Sequence, residues 1–339
     1  MFMKKKFSIW FLVVLGFMLI LAACGEKSQE NVVAKLDDKL TTMDGYKAKA
    51  EMKMSTGPET QSYDINILHQ KDDLYRVTLT SGDDEKGNQV ILKNEDGVFV
   101  LTPALNKSFK FQTDWPENSS QPYLFQSLVS DIKDDTEATF EATDTHFIFK
   151  TKTNYQNNNN LPSQEIYFDK KSYTPTHVKV LDQDEEAIVE VQFDQFEMNP
   201  TFAQDDFKME ENMAGDLVDS PVSSQQEETF PVFFPLETAG ASLADKEEVT
   251  YENGRRVIMT FEGEKNFTLV QEMENEVPAT ATPKEVKGEI VNLGIAIGAL
   301  SDNGISWSKD GIDYFLASDS LTREELIEVA GSVQGKEVK

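Results

Sequence analysis

Tyr46-Lys47-Ala48-Lys49-Ala50-Glu51-Met52-Lys53-Met54 alternates without a break, with Tyr46, Ala48, Ala50, Met52 and Met54 on one side and Lys47, Lys49, Glu51 and Lys53 on the other. Successive side chains of an extended chain point to opposite faces, so this stretch predicts a half-buried strand of an antiparallel sheet. Just upstream, Val32, Leu36, Leu40 and Met43 recur at spacings of four, four and three. Those spacings lay one apolar stripe along a helix, which Asp44-Gly45 stops.

Downstream the period of two returns. Tyr63, Ile65 and Ile67 face Tyr75, Val77 and Leu79 across the turn residues Lys71-Asp72-Asp73, which predicts a hairpin. Val90 to Leu92 and Val98 to Leu101 flank Asn94-Glu95-Asp96-Gly97, and Phe109 with Phe111 adds a strand. Leu124, Leu128 and Ile132, just after Pro122, predict a short second helix. Strands resume through Phe147 and Phe149, Ile166 and Phe168, Val178 and Val180, and Val189 to Phe196. A long antiparallel meander with two helices must curl and be covered on one face. The expected fold class is therefore α+β, a curved antiparallel half-barrel with covering helices over residues 32–211. The run Asn157 to Asn160 reads as a loop between strands.

From Met213 to Glu228 the chain turns acidic and rich in serine and glutamine, which predicts a linker over residues 212–230. Phe230 to Pro235 is apolar enough to dock as a strap. Residues 231–339 are expected to form a smaller α+β domain. Val257, Met259 and Phe261 alternate, as do Phe267, Leu269 and Gln271, and Ile305 to Trp307 pairs with Ile312 to Leu316 across Lys309-Asp310-Gly311. Thr322 with Glu325 predicts a capping box, with Leu326, Val329, Ala330 and Val333 facing inward.

The first residues read differently. Lys4-Lys5-Lys6 precede an apolar run from Phe7 to Leu21, closed by Leu21-Ala22-Ala23-Cys24. A short apolar run with a basic front and small residues at its end predicts a secretory signal over residues 1–23. A retained span needs roughly 20 apolar residues. The final tetrad resembles the lipobox of bacterial lipoproteins, which implies that the Cys24 thiol receives a diacylglyceryl group, with palmitate-type acyl chains, and that Cys24 becomes the new N-terminus. Residues 24–31 would then be a lipidated tether, and the body would face the extracytoplasmic side of the cell membrane. Cys24 is the only cysteine of the chain, so no intramolecular disulfide can form and stability must come from packed cores.

Losing Lys4, Lys5 and Lys6 would move the formal charge from −28 to −31. So acidic a chain repels nucleic acid and anionic headgroups. Catalytic chemistry has little support. His69, His146 and His177 are the only histidines, lack metal-ligand spacing, and read as surface or rim residues of strands. No nucleophile-elbow or phosphate-loop motif occurs. The acid pairs Asp83-Asp84, Asp134-Asp135, Glu185-Glu186 and Glu247-Glu248 read as solvated turn charge. The expectation is a protein that is not an enzyme and uses no cofactor and no metal. The aromatic content of the sheet is the feature that can carry function. Tyr46, Met52, Tyr63, Tyr75, Phe147, Phe149 and Phe193 either line an apolar hollow or fill an ordinary core.

Several stretches resemble known families. Asp44-Gly45-Tyr46, the Gly97 to Pro103 strand ending in Thr-Pro, Asp169 to Pro175, and Phe193 to Phe196 with Asn199 and Phe207 resemble the LolA-type fold of lipoprotein carriers, over roughly Val32 to Glu210. Ile305 to Leu316 followed by Leu321 to Val333 is similar to a small domain of unknown function in surface proteins of spore-forming Gram-positive bacteria. Together with the lipobox, these features resemble the YdcC-type sporulation lipoproteins of Bacillus and, more distantly, the RseB-type periplasmic regulators of anti-sigma factors. The resemblance implies a half-barrel whose hollow receives acyl chains in the carriers. Soluble carriers lack a lipid anchor, so the expected role is a tethered binding or regulatory module for another envelope protein, with lipid or lipoprotein-acyl handling as the alternative.

Overall fold

The computed structural model describes residues 28–336 except 56–59, 82–83, 118, 156–159, 204, 215–230, 252–253, 275–282, 294–295 and 310. The signal segment, Cys24, the first half of the tether and nearly all of the 212–230 linker lie outside the described residues.

Helix α1 (Gln29–Thr42) starts three residues earlier than its apolar stripe, because the Ser28 hydroxyl accepts the Asn31 N–H at 3.4 Å. Eleven strands follow: β1 (Gly45–Ser55), β2 (Thr60–Gln70), β3 (Leu74–Ser81), β4 (Asp84–Asn94), β5 (Gly97–Thr102), β6 (Lys107–Phe111), β7 (Thr139–Ala142), β8 (His146–Lys152), β9 (Ser163–Asp169), β10 (Pro175–Leu181) and β11 (Ala187–Met198). Helix α2 (Phe125–Asp134) lies between β6 and β7, and a short α3 (Met209–Ala214) follows β11. The helix α3 occupies the first three residues of the expected linker, with Asn212 and Met213 buried.

The second half adds β12 (Phe233–Pro235), β13 (Ser242–Tyr251), β14 (Gly254–Glu262), β15 (Phe267–Glu274), β16 (Lys284–Val286), β17 (Glu289–Asn292), β18 (Ile297–Ser301), β19 (Gly304–Lys309) and β20 (Ile312–Ala317), then α4 (Arg323–Gly331) and β21 (Val333–Lys336). The chain is mostly sheet with a few helices. Its largest sheet is open, with strand order β16-β6-β5-β4-β3-β2-β1-β11-β10-β9-β8-β7.

That order corrects the single meander. Strand β1 pairs with both β2 and β11, so two meanders meet along it. The alternation makes this possible: Ala48 and Ala50 face Ile67 and Ile65 on one side and Phe196 and Phe193 on the other, while the lysines stay outward. Gly45 is required at the strand's entry, because a Cβ there would stand 2.2 Å from the His69 carbonyl oxygen. Asp72 and Asp73 both take positive φ in the β2–β3 turn, the backbone that matches the twist of a tight hairpin. Helices α1 and α2 cover one face with Val32, Leu36, Leu128, Val129 and Ile132. On the other face Val90, Leu92, Phe99 and Leu101 are covered by Phe207 and Met213.

The second sheet runs β13-β14-β15-β20-β19-β18-β17. Its covered face is the expected one, with Phe261 stacked on Phe267 at 4.4 Å and Trp307 on Tyr314 at 4.9 Å beneath α4. The Thr322–Glu325 capping box forms as the spacing predicts. The strap docks: β12 pairs with β21, and the buried Gln271 amide both accepts the Phe233 N–H and donates to its carbonyl. Glu247 and Glu248 stand on the edge strand β13, not in a turn.

The two halves are joined by more than a linker. Strand β16 adds to the first sheet in parallel with β6, and Ile290, Ile297 and Ala299 enter the first core. The Ile297 N–H donates to the side-chain Oε1 of the buried Gln89 at 2.8 Å, and Lys107 pairs with Asp313 at 2.7 Å.

Candidate functional site: a cavity at the seam of two sheets

The space between the first sheet and its two helices is packed. Tyr46, Met52, Phe147 and Phe149 are all at or below 1% exposure, Tyr75 and Phe193 are buried, and Tyr63 is half-buried against the same core. Tyr46 is tied to the helix above it. Its hydroxyl accepts the Phe125 N–H at 3.2 Å and donates to Gln126 Oε1 at 3.1 Å, while its ring stacks on Phe196 at 4.8 Å. Burial raises the Tyr46 hydroxyl well above the usual tyrosine range.

The histidines do not converge. His69 corrects the surface reading: it is 8% exposed, stacked on Tyr75 at 4.4 Å, with Nδ1 3.2 Å from the Leu74 carbonyl oxygen. Burial lowers it to about 4, so the ring is neutral near pH 7. His146 touches Thr145, and His177 lies 3.4 Å from Glu190 with its pKa lowered, mainly by burial. Among the described residues no group of histidine, cysteine, aspartate and glutamate could hold a metal ion, and no helix is long and apolar enough to cross a membrane.

The open space lies elsewhere. A cavity of about 780 Å³ sits at the seam between the sheets. From the first half come Met52, Met54, Ile91, Tyr123, Tyr155, Ile188 and Val189, and from the second Leu236, Ile290, Leu293, Ile297 and Ile327. Met52 is therefore the one expected lining residue that reaches it. Its depth is apolar, with Met52, Ile91, Ile290 and Leu293 nearly inaccessible. Asp182, Asp184, Glu237 and Glu328 line it as well. The last two come from just beyond the strap and from α4, some ninety residues apart in sequence, and are brought together by the docking of β12 against β21 and by the Glu237 N–H donating to Ser332 Oγ at 3.0 Å. Burial, then the neighbouring Glu237 and Glu325, raises the Glu328 carboxyl.

A second, polar cavity of about 580 Å³ is lined by Tyr75, Glu117, Gln126, Asp131, Asp134, Asp135 and Lys152 among others. Asp131 accepts from the wholly buried Gln164 at 2.6 Å. Burial pushes it up to about 6. Ser119 lines both cavities, so the segment before α2 forms the wall between them.

The structural neighbours are distant. One is the complex structure of Pseudomonas aeruginosa MucA/MucB, at 12% identity and a TM-score of 0.33, covering 90% of this chain and 99% of that one. Another is a LolA superfamily protein from Nitrosomonas europaea, at 8% identity and 0.32, covering 55% and 99%. Sequence places the chain more firmly. It is 47% identical over 340 residues to Sporulation protein YdcC of Bacillus subtilis (strain 168), across 99% of this chain and 100% of that protein. The family model described as Sporulation protein YdcC-like matches residues 4–207, and the chain belongs to that family.

Proposed function

We propose that this protein is a lipid-anchored, non-enzymatic binding or regulatory module at the cell surface, acting in sporulation on another protein of the envelope. The observation that carries the reading is the seam cavity: an open, apolar-floored space built by both sheets, in a molecule whose helix-covered hollow is filled. A pocket of roughly 300 to 1,000 Å³ suits a ligand or a few side chains. Catalysis finds no support in the scattered histidines. Sporulation enters through the relative's name, and the anchor through the lipobox at Cys24. Acylation at Cys24 would hold the body within a tether's length of the membrane and raise its effective concentration for neighbours there. The role needs no cofactor, metal or nucleic acid. The last hundred residues then act as the second wall of the site, whatever else their resemblance to Gram-positive surface domains entails.

A second reading, lipid or lipoprotein-acyl handling, is favoured by the same apolar floor. Native mass spectrometry of protein gently extracted from sporulating cells separates the two. The binding-module reading expects the chain without stoichiometric lipid beyond its own anchor, and a co-extracted acyl ligand overturns it.

A further inference from the structure

We infer that the seam cavity is a docking site for an apolar polypeptide segment of a partner protein that carries lysine or arginine beside its apolar residues. This rests on the binding reading above and narrows it from any partner to a cationic one. The floor dictates the apolar part: Met52, Ile91, Ile290 and Leu293 line the cavity at 5% exposure or less, and Leu236 stands 49% exposed in the same lining. The charges dictate the rest. Every ionisable side chain of opposite possibility is missing: Asp182, Asp184, Glu237 and Glu328 line the cavity, and among the described lining residues there is no lysine, arginine or histidine.

None of these four carboxylates is in an ion pair among the described residues. Asp182 is held in place, its Oδ1 accepting the N–H groups of Asp184 at 2.9 Å and Glu186 at 2.8 Å. Glu237 stands close enough to Glu328 to disfavour ionisation of the Glu328 carboxyl. A guest cation relieves that repulsion, whereas a fatty-acid carboxylate or a lipid phosphate adds to it, on a chain already at −28. Ser55, Gln121 and Asn160 also line the cavity, and a peptide backbone can hydrogen-bond to such groups where bare hydrocarbon cannot.

The test uses the full chain in phosphatidylcholine nanodiscs and four fluorescent probes, with empty nanodiscs subtracted. The probes are a leucine/valine peptide flanked by lysines, the same core flanked by glutamates, a lysine-flanked glycine/serine peptide, and a labelled fatty acid. The lysine-flanked apolar peptide is expected to bind at least tenfold more tightly than each of the others, with the margin shrinking as salt rises. In Glu237→Gln/Glu328→Gln, at unchanged thermal stability, its affinity should fall at least threefold. Equal binding of the two apolar peptides, or tighter binding of the fatty acid, overturns the inference in the wild-type protein alone, without recourse to a variant. The broader binding role is decided separately by capture in living cells, which no probe preference can settle.

Discussion

Tyr46→Phe removes one oxygen and leaves every ring contact in place. The Tyr46 hydroxyl serves two groups at the start of α2, accepting from the Phe125 N–H and donating to Gln126 Oε1. Phe125 is wholly buried, and its N–H is one of the helix's first-turn donors that have no partner inside the helix. Leaving it unpaired costs about 1 to 3 kcal/mol, and the lost bond to Gln126 adds about 0.5 to 1.5 kcal/mol. The stacking on Phe196 at 4.8 Å and the edge contact with Phe125 at 6.4 Å persist, so no packing loss enters and the expected destabilisation is about 1.5 to 4.5 kcal/mol. Urea unfolding reads it through Trp115, which is fully buried in the same core, in a Trp10→Phe/Trp307→Phe background. The midpoint should fall at unchanged slope. A change under about 0.5 kcal/mol would refute the claim that this hydroxyl pins α2 to the sheet.

Labelled fatty acid should enter the wild-type protein in cells and not Cys24→Ala; label in the variant defeats the lipobox reading. His69 is lowered to about 4 in the folded chain, so unfolding takes up a proton between about pH 6.5 and 4 and stability falls as pH drops through that window, by up to about 3 kcal/mol. His69→Gln should flatten that part of the pH profile of urea midpoints, and an unchanged slope contradicts it. Asp131 works oppositely: raised to about 6, its contribution is present at acid pH and lost as pH rises through about 6, so Asp131→Asn should gain about 2 kcal/mol over wild type at pH 7. Gln271→Leu leaves the Phe233 N–H and carbonyl without their side-chain partners. It should cost at least about 2 kcal/mol and expose the strap to limited proteolysis ahead of global unfolding; a strap protected as in wild type would show that Gln271 does not hold it.

The elements that were legible in the sequence are those in which one face is buried and one wet. Strand β1 announces itself because five apolar residues alternate with four charged ones, and α4 because Thr322 and Glu325 satisfy each other's backbone. Strand β13 was not legible: eight of its ten residues are exposed, so no periodicity marks it. The parallel pairing of β16 with β6 was hidden for another reason. It joins residues some 175 apart, and nothing local in Lys284-Glu285-Val286 encodes the partner. The site shows the same division. The alternation lays the large residues of β1 and β8 on one face, but sequence alone does not say whether that face is hollow or filled. Tyr46 and the two phenylalanines of β8 fill it, while Met52 reaches the seam cavity and Tyr75 the polar one. The acidic lining comes from three separated stretches, which share a cavity only after two sheets dock.

The seam cavity should hold one specific envelope partner. A photo-crosslinking residue at Leu236, which lines that cavity and is about half exposed, activated in living sporulating cells, tests it directly. The same residue placed at Val249 on the distant edge strand β13, 45% exposed, is the control. One preferred envelope protein, recovered from Leu236 and not from Val249, is the predicted result. Adducts to lipid, or to many unrelated lipoproteins with no preferred species, would contradict the account and point to a carrier.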